Sequence, residues 1–217
     1  MTQSQLAASD SHPPTLLLLN GVSSSGKTSL LEALQDRLPG PWLEAGLDKF
    51  LWMLPKPYLN TTLWQDIFTY ERGQNGTLQR IRPGPQGNRL VLGMHRAWAA
   101  LLEAGNDILA DHVLLDPAWL LDCAHLLRYQ RAFLIGLRCS LEVLEAREQH
   151  RQDRTLGQAR AQYPYIHTHN VYDFEVDTAQ LFSEQAAEAI IAWLESGPEP
   201  YALQIIDERN ARGGSND

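Results

Sequence analysis

Residues 15–30 read TLLLLNGVSSSGKTSL. An apolar run suited to a buried strand passes through Gly21-Val22-Ser23-Ser24-Ser25-Gly26-Lys27-Thr28 into a helical pattern that starts near Lys27. This is the spacing of a phosphate-binding loop, in the strand–loop–helix context it requires. The glycines let the backbone turn tightly, successive N–H groups point at phosphate oxygens, and the following helix adds the positive end of its dipole. Lys27 would reach the β and γ phosphates, and the Thr28 hydroxyl would coordinate a magnesium ion that bridges them. The expected nucleotide-binding set is therefore Gly21, Val22, Ser23, Ser24, Ser25, Gly26, Lys27, Thr28 and Ser29. Mg-ATP is the implied cofactor.

Around this loop the composition narrows the classes. The 217 residues suffice for one well-buried domain. A formal net charge of -8 argues against a general nucleic-acid or anionic-membrane surface, which needs clustered Lys and Arg. The chain has no apolar run of membrane-spanning length, and its first residues, MTQSQLAASDSHPP, lack a basic region followed by an apolar one, so a cytoplasmic location is expected. The favoured partner is a small molecule carrying a hydroxyl. Cys123 and Cys139 lack metal-type spacing.

Apolar runs alternate with helical patterns along the chain, which predicts an α/β domain: a P-loop kinase fold with a parallel sheet flanked by helices on both faces. Strands are expected at 16–20, 42–47, 107–113, 132–139 and 172–176. Helices are expected at 27–38, 88–104, 117–129, 141–150, 156–163 and 179–193, with a helical turn at 50–54. Residues 55–87, rich in Gly, Pro and Asn, read as an irregular insertion forming a substrate wall, with a hairpin of 67–72 and 77–82 inside it. The domain is expected over 15–195, between a flexible N-terminal extension (1–14) and a C-terminal tail (196–217).

In open parallel sheets ligands bind beyond the carboxyl ends of the strands. The loop after the first strand, Asp48 after the second, and Asp111-His112 on or just beyond the third converge there. Asp48 suits the residue that orients a hydroxyl and accepts its proton late in a loose transition state; it also suits a helix cap. Asp111 suits a magnesium ligand acting through a bound water, alongside Thr28. Arg147, Arg151 and Arg154 sit at offsets of four and three, so a helical turn would aim all three the same way. Guanidinium groups on a lid over about 147–156 would neutralise transferring phosphate. A solvated helix face, with Glu148 and Asp153 as partners, is the other reading of that run. Trp52 and Trp64 flank the insertion and would wall an aromatic substrate.

Taken together, the segments LNGVSSSGKTSL, PGPWLEAGLDKF, HRAWAALLEAG, ILADHV, IGLRCSLEVLEAREQHRQDR and YDFEVDT resemble, in order and spacing, the chloramphenicol phosphotransferase family of small P-loop kinases. The resemblance covers most of 16–178. It implies transfer of the γ phosphate of ATP to the 3-hydroxyl of chloramphenicol or a similar aryl diol. It also implies that Asp48 stands at the position of the general base, that Gly21–Thr28 hold ATP and magnesium, and that the arginine segment is the lid. The family has two adjacent acidic residues where this chain has Asp111-His112, and residues 55–85 align poorly, so reaction type transfers more safely than substrate. A kinase for another metabolite or nucleotide, and a nucleotide-sensing regulatory module, are the alternatives.

Overall fold

The computed structural model describes residues 12–59, 61–150, 155–169 and 171–213. In chain order these form β1 (Thr15–Gly21), α1 (Lys27–Gln35), β2 (Leu43–Glu44), α2 (Leu47–Leu51), α3 (Lys56–Leu59), a 3-10 turn (Thr62–Asp66), β3 (Phe68–Arg72) and β4 (Leu78–Pro83). There follow α4 (Pro85–Glu103), β5 (Ile108–His112), α5 (Pro117–Leu127), β6 (Arg131–Arg138), α6 (Leu141–His150), α7 (Gln158–Gln162), β7 (Phe174–Asp177), α8 (Ser183–Glu195) and α9 (Ala202–Gly213).

Five strands form one parallel sheet in the order β2-β5-β1-β6-β7. β1 lies at its centre, and all seven of its residues are buried. That explains its unbroken leucine run, since a strand covered on both faces has no solvent side to make polar. Leu16 and Leu18 join Ile108, Ala110, Ala132 and Leu134 in an apolar layer with α4, α5 and α9, whereas Leu17 and Leu19 join Leu109, Phe133, Ile135 and Leu137 with α1 and α8. Each such leucine contributes roughly 1.5–3 kcal/mol by leaving water. α4 starts with Pro85 in its first turn and buries Val91, Met94, Trp98 and Leu102 at helical spacing.

Several boundaries differ from expectation. The segment 42–47 pairs with β5 only at Leu43–Glu44, and the Ala45 N–H to the Leu109 carbonyl (2.9 Å) is its last ladder bond. Gly46, in extended conformation, then starts α2, so Asp48 lies in the first turn of a helix rather than at a strand tip. Residues 55–87 are more regular than an irregular insertion: β3 and β4 form the antiparallel hairpin, and 85–87 already belong to α4. The last strand begins at Phe174 because Tyr172 is used elsewhere, its ring packed so close to Gly136 that a Cβ there would come within 2.9 Å of it.

The segment 196–217, expected as a tail, carries a docked helix. The Tyr201 and Ala202 N–H groups donate to Asp173 Oδ1 (2.7 and 3.0 Å), and Ala202, Leu203 and Ile206 are buried. The polar sequence of α9 concealed this, because only one narrow stripe of it meets the core. Residues 1–11 of the N-terminal extension lie outside the described residues.

Candidate active site

The loop between β1 and α1 is held by its own backbone. Ser24 (φ 67°) and Gly26 (φ 88°) take left-handed conformations, and the Ser25 N–H donates to the Val22 carbonyl (3.1 Å). Lys27 is buried and its ammonium donates to the Gly21 and Val22 carbonyls (2.8 and 3.0 Å). A Cβ at Gly21 would come within 2.7 Å of Ser25 Oγ and 3.0 Å of Leu137 Cβ, so the turn needs glycine. The Ser24 and Ser25 hydroxyls are buried with no hydrogen-bond partner among the described residues. Buried hydroxyls are seldom left so, and ligand oxygens at the loop would satisfy them.

Two cavities meet beside this loop. The first, of about 390 Å³, is lined by Ser24 through Ser29, Asp48, Asp111 and Arg147, and by Thr178, Leu181 and Phe182. Of the sequence-expected nucleotide residues, Gly21 and Val22 lie beneath this cavity, where their carbonyls hold Lys27, and Ser23 faces the second cavity. The second, of about 540 Å³, is lined by Leu47, Leu51, Trp52, Trp64, Phe68, Tyr70 and Ile81, and by Thr155, Gln158 and Gln162. Asp48 lines both.

Asp111, at the end of β5, reaches its place only because residue 46 has no side chain: a Cβ there would lie 1.9 Å from Asp111 Oδ1. Thr28 and Asp111 thus offer oxygen donors to one cavity, the donor type a hard divalent cation takes. His112 is fully buried. Its Nε2 is 3.2 Å from His95 Nε2, and His95 Nδ1 is 2.8 Å from Asp122 Oδ2. Burial holds both imidazoles below the usual histidine pKa, His112 well below it.

Arg147, on α6, donates through Nη2 to the Thr178 carbonyl (2.6 Å), which fixes it to the wall of the first cavity. Arg151 and Arg154 lie outside the described residues. Glu148 is not on a solvated face. It is buried, and its carboxylate accepts from the Gly157 N–H (2.7 Å) and the Ala159 N–H (3.0 Å), capping α7. Sequence reasoning also missed Gln162, whose Oε1 accepts from the Ser23 N–H at 2.6 Å. No local pattern marks either residue, since both act on partners brought near by folding.

Asn20, the last side chain before the loop, ties three segments together. Its Nδ2 donates to the Ile166 carbonyl (3.1 Å) and to the Tyr172 hydroxyl (2.8 Å), and its Oδ1 accepts from the Leu114 N–H (3.2 Å). His167 Nδ1 meets the same hydroxyl at 2.6 Å. Burial lowers the His167 and His169 pKa values to about 4, with the Arg138 charge acting in the same direction.

A parallel sheet in this order, a P-loop at its centre and a second cavity opening beside the loop define a P-loop phosphotransferase. Solved structures share the fold. A sugar kinase from Janibacter sp. HTCC2649 has a TM-score of 0.60 at 19% identity, covering 86% of this chain and 97% of that one. The Mycobacterium tuberculosis APS kinase, solved with AMPPNP and APS, has a TM-score of 0.56 at 13% identity, covering 84% and 98%. The Deinococcus radiodurans tunicamycin resistance protein has a TM-score of 0.57 at 16% identity, covering 83% and 95%. The chain belongs to the chloramphenicol phosphotransferase-like family, which it matches over residues 14–195. A relative from Mycobacterium tuberculosis strain H37Rv, named "Putative O-phosphotransferase Rv2636", is 30% identical over 198 residues, covering 89% of this chain and 88% of the relative. The protein is thus a nucleotide-binding kinase of small molecules. No helix among the described residues is long and apolar enough to cross a membrane.

Proposed function

We propose that the protein transfers the γ-phosphoryl group of ATP to a hydroxyl of an uncharged aryl alcohol, with the 3-hydroxyl of chloramphenicol as the nominal acceptor. The observation that carries this reading is the position of Asp48, which lines both the P-loop cavity and the aromatic cavity. A hydroxyl placed beside Asp48 from the second cavity would face a phosphoryl group held in the first. The lining of the second cavity favours an uncharged acceptor, since its described residues include Trp52, Trp64, Phe68 and Tyr70 and no Lys, Arg or His.

In this reading the N–H groups of Ser24 through Ser29 and the Lys27 ammonium hold the phosphates, with Gly21 to Ser23 shaping the turn. Leu181 and Phe182 flank the base. Thr28 and Asp111 would hold magnesium, which when bound supplies charge neutralisation at the phosphates. Arg147, with Arg151 and Arg154 from the lid, stabilises negative charge on the moving group. The acceptor oxygen bonds to the γ phosphorus as the bond to the β–γ bridging oxygen breaks, ADP departs with that electron pair, and the hydroxyl proton passes to the Asp48 carboxylate. A carboxylate is too weak a base to hold that proton in the ground state, so Asp48 orients first and accepts late. A cytoplasmic location would supply the ATP.

Mass spectrometry of reactions with Mg-ATP and chloramphenicol tests this, with wild type and Asp48→Asn side by side. The expected result is a product heavier by one phosphoryl group, formed on the order of 10²–10⁴-fold more slowly by the variant, with ATP binding unchanged. Near-normal turnover by Asp48→Asn would remove the assigned base, and no product from the wild type would remove chloramphenicol as acceptor.

A further inference from the structure

The second cavity and the phosphate-binding loop share a side chain that lies outside the loop motif. Gln162, the last residue of α7, is only 4% exposed, yet it lines the second cavity and its Oε1 accepts from the Ser23 N–H at 2.6 Å. A backbone N–H can only donate, so the atom facing Ser23 must be the oxygen, and the orientation of the carboxamide is settled by that bond. Its NH2 group is therefore turned away from the loop. That nitrogen has no hydrogen-bond partner among the described residues, and it is not one of the sealed-off buried atoms that lack one. The residue that carries it lines the second cavity.

The scaffold behind Gln162 is also fixed. Glu148, next to Arg147 on α6, caps the first turn of α7 through two backbone N–H groups. One short path thus runs from the guanidinium wall of the first cavity, through α7, to the loop and the second cavity.

We infer that Gln162 is a specificity-determining residue that ties the acceptor cavity to the phosphate-binding loop and donates an N–H to an uncharged oxygen of the acceptor, such as an amide carbonyl or a second hydroxyl. This rests on reading the second cavity as the acceptor site. An acceptor lacking such an oxygen leaves the NH2 group desolvated and unpaired, which is how a polar wall rejects a near-isostere. The tie also means that an acceptor seated on Gln162 is referenced to the backbone that positions the phosphates.

Two variants separate the donor from the tie. Gln162→Glu keeps an oxygen for the Ser23 N–H but removes the donor; Gln162→Met, of similar size, removes both. With chloramphenicol as probe, Gln162→Glu is expected to raise the acceptor KM about tenfold or more, with kcat and the KM for ATP changed much less. An acceptor KM within twofold of wild type would overturn the donor role. The second measurement needs no acceptor: amide hydrogen exchange at Ser23 by NMR. It is expected to be slow in wild type and in Gln162→Glu, and at least tenfold faster in Gln162→Met. Equal rates in wild type and Gln162→Met would overturn the tie. If wild type leaves chloramphenicol unmodified while Ser23 exchange still depends on Gln162, the tie is supported and the proposed acceptor is the part that fails.

Discussion

The phosphate-loop end and the proposed acceptor wall of this molecule are built in opposite ways. At the phosphate end one continuous segment does nearly everything: β1 buries seven consecutive residues, the loop turns on Ser24 and Gly26, and Lys27 is held by carbonyls five and six residues before it. The second cavity, the proposed acceptor wall, instead draws Leu47 and Trp52 from α2 and the turn after it, Trp64 from a 3-10 turn, Phe68 and Ile81 from the hairpin, and Gln162 from α7. A site made by one segment depends on local spacing. A site assembled from many depends on how they pack, and it can change its ligand while the reaction stays the same.

Lys27→Ala is the strongest way to break that contrast. Removing the buried ammonium is expected to lower kcat/KM for transfer on the order of 10³-fold, whatever the acceptor. Trp64→Ala, one aromatic of the distributed wall, is expected to raise only the acceptor KM, about tenfold. Steady-state kinetics in both substrates checks the pair. If Trp64→Ala also abolished ATP turnover, the two ends would not be separable in this way.

Glu148 joins the two regions and should give a smaller, structural effect. Glu148→Ala leaves the Gly157 and Ala159 N–H groups at the start of α7 without their carboxylate, at an expected cost of about 1–3 kcal/mol. Urea unfolding measures it. A change in midpoint within error would mean that α7 is held by its packing on β4 and by its contacts with α6, the Arg160–Glu145 pair among them, rather than by the cap.

The last effect concerns pH, on the segment between α7 and β7. The folded-state pKa values of His167 and His169 are about 4, below the unfolded value near 6.5. As pH falls below about 6.5 the unfolded chain takes up protons that the folded chain refuses, so stability is full above that pH and declines towards about 4. The melting temperature should therefore fall between about pH 7 and about pH 5, and His169→Asn should flatten the decline. An unchanged slope in that variant would place the acid sensitivity on other buried imidazoles, His167 first and then His95 and His112.

The same contrast explains what could be read before folding. Periodicity sufficed for the central strands and for α1, α4, α5 and α6, because a buried parallel strand and an amphipathic helix impress their environment on their own residues. It overextended the second strand, since nothing local says that Leu43–Glu44 is all that pairs with β5 before Gly46 opens α2. It also missed α9, whose anchor is Asp173, about thirty residues away in the chain and across the sheet.

By itself, then, the sequence determined the fold class and the phosphate loop. The reason is that hydrogen-bonding geometry around a phosphate and burial of a central strand each demand a fixed local spacing. Only the tertiary structure decided that Asp48 faces two cavities, that Gly46 makes room for Asp111, that Glu148 is a cap rather than a solvated charge, and that Gln162 grips the loop. Those are contacts between residues distant in the chain, and their partners are chosen by packing, which no spacing within one segment records.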